Sequence, residues 1–166
     1  MSHDARRLIA LVVPLLAWPE QARAQVSLRP LPSFEARSVD FAREGAMRRL
    51  REPECQRLLE DFQDADGRPL TVKLASFGVS ADQYLATIPF LDGTGRPLCK
   101  GGQSQLLTTR GVARIAVCPP FLQTVDRERV TAEVYVIHEM LHTLGLGENP
   151  PSSQEITQRV KRQCAP

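Results

Sequence analysis

A charge field of one sign is missing from this chain. Its 166 residues carry 21 lysines and arginines against 19 aspartates and glutamates. Such a balance offers no basic stripe for nucleic acid and no cationic patch for anionic lipid. Arg48, Arg49, Arg51 and Arg57 do cluster, but Glu44, Glu52, Glu54 and Glu60 interleave with them, as on a solvated helix face. A membrane-length apolar run is missing too. The run Leu8–Trp18 falls short of the about 20 residues a span needs, and Pro14 interrupts it. There is no internal repeat and no low-complexity tract. Histidine is scarce: three in all, at positions 3, 138 and 142.

What is present begins with an export signature. Arg6 and Arg7 precede the apolar run, and Ala22-Arg23-Ala24 follows it as a small-x-small cleavage site. Residues 1–24 therefore read as a secretory signal peptide, with Gln25 as the mature N-terminus and a secreted or periplasmic destination. Without Asp4, Glu20, Arg6, Arg7 and Arg23, 17 acids face 18 bases. Cys55, Cys99, Cys118 and Cys164 all survive cleavage, and an even number in an exported chain reads as two disulfides. Of the three connectivities, Cys99–Cys118 with Cys55–Cys164 is preferred. One would staple a short strand–loop–strand region, the other would tie the tail to an early helix.

Residues 25–37, rich in proline and serine, read as an extended leader, and 38–166 as a single domain large enough for a hydrophobic core. Val39, Ala42, Ala46 and Leu50, then Cys55, Leu58, Leu59 and Phe62, follow helical spacing, with Pro53 splitting the helix. Leu70–Phe77 alternates as a strand after the turn signal Asp64-Ala65-Asp66-Gly67. A second strand is expected over Tyr84–Phe90. A third is expected over Val112–Cys118, ended by Pro119-Pro120. A long helix from Arg127 to Leu144 is expected to end at Gly145 in a left-handed conformation. Ser152-Ser153-Gln154-Glu155 is a capping-box signature for a last helix to Gln163. The order predicts an α+β domain: N-terminal helix, short, mostly antiparallel sheet, long helix and C-terminal helix.

The chemistry concentrates in HEMLHTLGLGE, residues 138–148. Residues four apart on a helix differ by one turn and about 40° of rotation, so His138 and His142 project from one face. Their imidazoles can converge on one cation at about 2.0–2.1 Å each. Glu139, one residue along, is placed to take a proton from a water activated by that ion. This is the HExxH arrangement, and in these residues the chain resembles the zincin metallopeptidases. The resemblance covers 114–166. It implies a small zincin-like fold, Zn²⁺ as cofactor, Glu139 as general base and a peptide or protein as substrate. It also implies that the strand before the helix, Val112–Cys118, is a sheet edge that pairs with substrate.

With His3 removed and the cysteines oxidised, the third ligand must be a carboxylate. Glu148 is the first candidate, because HExxHxxGxxE is similar to the metzincin pattern HExxHxxGxxH. Met140 is the last methionine, so the metzincin methionine turn is absent. Glu155 is the rival, at a position that resembles the third ligand of the gluzincins, although its capping box gives it a structural role as well. Tyr84, Tyr135 and Arg114 are conceivable oxyanion donors, with Tyr135 expected mainly to pack under the sheet. The resulting expectation is an exported zinc peptidase with His138, His142 and Glu148 on the metal. The alternative is a non-enzymatic, disulfide-stabilised binding domain.

Overall fold

Pro53 divides the first helical stretch, as its missing N–H and fixed φ require. A computed structural model describes residues 28–165, in which α1 runs Ser33–Leu50 and α2 runs Pro53–Asp61. The expected signal peptide and the Gln25 terminus lie outside those residues. Among the described residues no helix is long and apolar enough to cross a membrane. The predicted stripe Val39, Ala42, Ala46 and Leu50 is buried. The leader is shorter than expected. After β1 (Arg29–Pro30), α1 already starts at Ser33. Its first turn carries Glu35 in favourable dipole position and the exposed Phe34, so no apolar stripe marks it.

Two expected strands are helices. Leu70–Phe77 forms α3, burying Leu70 and Leu74 one turn apart while Val72 and Phe77 stay about half exposed. Gly78 ends it at φ 68°, a left-handed stop that favours glycine. Ala81–Thr87 forms α4, where the Gln83 side chain accepts from the Ser80 N–H at 3.0 Å. Only at Phe90 does the chain enter β2 (Phe90–Asp92). Apolar alternation in these segments was side-chain chemistry without a strand, because the core takes one helical stripe from each.

A single-turn helix α5 (Pro97–Lys100) precedes β3 (Leu106–Thr108) and β4 (Ile115–Val117). The sheet order is β1-β2-β4-β3, with the β2/β4 pairing parallel and the other two antiparallel. The sheet is therefore mixed, inside an α+β architecture. Here the expected edge is overturned. β4, which occupies the predicted Val112–Cys118 stretch, has β2 on one side and β3 on the other, and its three residues are all buried. Among the described residues the sheet's two edge strands are β1 and β3.

Pro119-Pro120 ends the strand as expected, but it also starts a helix, since proline is well suited to the first helical positions. The helix expected from Arg127 is thus two: α6 (Pro119–Arg127) and α7 (Arg129–Thr143). The final helix α8 spans Ser153–Cys164. Helix α7 packs against α1, α6, α8 and β3, and it is buried nearly all round. One buried residue is charged: Glu133 meets Arg49 of α1 and, at 3.3 Å, Arg129. Arg49 also donates to the Cys164 carbonyl at 3.0 Å. Cys55–Cys164 and Cys99–Cys118 are the two disulfides, in the expected connectivity.

Candidate metal centre

The site is assembled by the way α7 stops. Gly145, at φ 113°, follows the C-cap Leu144. The Leu146 N–H donates to the Leu141 carbonyl at 3.1 Å, and the Gly145 N–H to that of His142 at 3.0 Å. This pair of bonds is a Schellman motif. It buries Leu146 and reverses the chain, so that residue 148 swings back beneath the helix end.

Three donor atoms meet there. His138 Nε2 and His142 Nε2 stand 3.0 Å apart, and Glu148 Oε1 lies 3.2 Å from His142 Nε2 and 3.7 Å from His138 Nε2. Bonds of about 2.0–2.1 Å at tetrahedral angles would separate donors by about 3.4 Å, so the three distances bracket that value. His138, His142 and Glu148 thus form a group that could hold a metal ion.

Each ring's other nitrogen is already engaged. His142 Nδ1 lies 2.9 Å from the Leu146 carbonyl, which only accepts, so Nδ1 carries a proton and Nε2 is the nitrogen turned towards His138 and Glu148. His138 Nδ1 lies 2.9 Å from Thr157 Oγ1 on α8. Burial, aided by the neighbouring His142, pushes the His138 pKa down to about 3. At neutral pH that imidazole is neutral, the form that ligates a metal. Partners of this kind fix ring orientation and tautomer.

Glu139 is half-buried beside the pair. Burial raises its carboxyl above the ordinary value and the Glu148 carboxylate adds to this, while Thr108 and His142 oppose it. The Thr108 hydroxyl faces this carboxyl without a hydrogen bond of good geometry, and its oxygen has no other partner. Glu155 is elsewhere. It accepts from the Ser152 N–H and Oγ, both at 2.8 Å, and these bonds hold its pKa down. The capping box claims it, and it is not one of the three converging ligands.

A cleft of about 880 Å³ opens over the triad and Glu139. Its lining falls entirely between Gln103 and Gln158. One wall is β3 and another is α8. Of the three conceivable oxyanion donors, Tyr135 lines the cleft, on the same helical stripe as His138, Glu139 and His142. Tyr84 is buried with its hydroxyl towards Thr143, and Arg114 does not line the cleft. Thr157, the Leu146 carbonyl and the cleft residue Arg110 carried no sequence signal. Their roles come from position in the fold. No family model, curated protein or solved structure matches the chain.

Proposed function

We propose that the chain is an exported zinc-dependent peptidase of the zincin kind, with His138, His142 and Glu148 as metal ligands and Glu139 as general base. The observation that carries the reading is the convergence of three metal-ligating atoms at 3.0–3.7 Å beside the half-buried Glu139 carboxyl in a cleft. Zinc bound there would supply Lewis acidity and a water that is acidic near pH 7. Glu139, whose burial raises its proton affinity, holds a proton taken from water and returns it to the leaving amine. Tyr135 is placed to donate to a developing oxyanion.

A peptide substrate fits the walls. Among the described residues β3 is paired only with β4, so the backbone donors and acceptors of its outer edge can bind an extended chain running along the cleft. The two disulfides accord with work outside the cell.

The test couples metal analysis of the purified protein to digestion of a broad peptide library with and without chelator. One zinc per chain and chelator-sensitive cleavage are expected. Glu139→Gln should keep the zinc and lose cleavage by about 10²–10⁴-fold or more. Glu148→Ala should lose the metal, and Glu155→Ala should keep it. A protein with neither zinc nor cleavage would instead be the disulfide-stabilised binding domain.

A further inference from the structure

Among the described residues, Arg110 is the one lysine or arginine that lines the cleft. It sits in the connection from β3 to β4, and that connection is fastened to the site. The next residue, Gly111, adopts φ 73° and donates its N–H to the His142 carbonyl at 2.8 Å. The last turn of the ligand-bearing helix therefore sets where Arg110 stands. Its guanidinium occupies the notch left by a missing side chain. A Cβ on Gly147 would come within 2.8 Å of Arg110 Nη1. The cation thus lies against the residue preceding Glu148.

Among the described residues, no carboxylate comes within ion-pairing distance of Arg110. Glu148, next to Gly147, is turned towards the two imidazoles instead. Arg49 and Arg129, by contrast, are both committed to Glu133. An exposed planar guanidinium lining a cleft is a receptor for a carboxylate, which it can grip through two parallel bonds.

We infer that Arg110 determines specificity by binding a carboxylate of the substrate, either the free C-terminus of a peptide or an aspartate or glutamate side chain close to the bond being cut. The role deepens the peptidase reading and rests on it, but it makes its own prediction about binding.

The experiment uses zinc-loaded Glu139→Gln protein, which is expected to bind without cleaving. It is titrated with three pools of N-acetylated, position-randomised hexapeptides free of other charges: C-terminal amides, C-terminal acids, and amides carrying one internal aspartate. One acidic pool should bind about tenfold or more tighter than the neutral amides. Which pool it is names the source of the carboxylate. The preference should weaken with salt, shrink in Arg110→Lys and vanish in Arg110→Gln, with zinc content measured alongside. Equal or undetectable binding of acids and amides overturns the inference. So does a preference that survives Arg110→Gln, which would mean the carboxylate is read by the metal. Because turnover is not read, a chain that cuts no peptide would sink the peptidase reading without deciding this one.

Discussion

Thr157 and the Leu146 carbonyl do the same work for different rings. Each takes up an Nδ1 and leaves an Nε2 directed at the point where the candidate triad converges. Only Thr157 can be changed by substitution. Thr157→Val should lower zinc affinity about 10- to 100-fold, and Thr157→Ser should restore most of it by returning the hydroxyl. Competition against a chromophoric chelator reads both. If valine and serine bind zinc alike, the contact is only packing. At this scale the sequence was legible where spacing alone sets geometry. His138, His142 and Glu148 lie on a helix and its reversal, so their offsets predict their meeting. Thr157 was illegible because it comes from a separate helix, 19 residues beyond the ring it contacts, and a main-chain carbonyl leaves no trace in composition.

Among the elements, α7 is held from two sides. Its cleft face carries His138 and His142, and its other face is fixed to α1 through Glu133. Gly45 makes that possible, since a Cβ there would collide with the Glu133 carboxylate. The carboxylate has little freedom to retreat, being gripped by Arg49 and Arg129. Gly45→Ala should therefore destabilise the protein by about 1–3 kcal/mol despite the better helix propensity of alanine. Chemical denaturation checks this, and an unchanged or raised midpoint would show that α1 and α7 are not in close apposition there. The elements that the sequence hid share a cause. In α3 and α4 the residues that alternate are split between core and solvent by packing against earlier helices, α2 and α1 respectively. The Ser80-x-x-Gln83 capping signature was the local cue that outweighed the alternation. β3, only three residues long, has too few positions to show a period.

For the molecule as a whole, the bridges are unequal. Cys55–Cys164 closes a separation of 109 residues and ties α2 to α8, the helix that carries Thr157. Cys99–Cys118 closes 19 residues and touches neither. Replacing both members of the long bridge by alanine should cost about 2–5 kcal/mol of stability. It should also weaken zinc binding more than the corresponding change in the short bridge does. Equal effects on the metal would mean that α8 keeps its place unaided. Among the described residues, the cleft borrows none from before Gln103. What the described residues before that point supply is support: core volume, the Arg49 grip on Glu133, and one cysteine of each bridge. Away from Gly45, Arg49, Cys55 and Cys99, the apolar positions there can be exchanged core for core without touching the cleft. That is where evolutionary drift has the freest run.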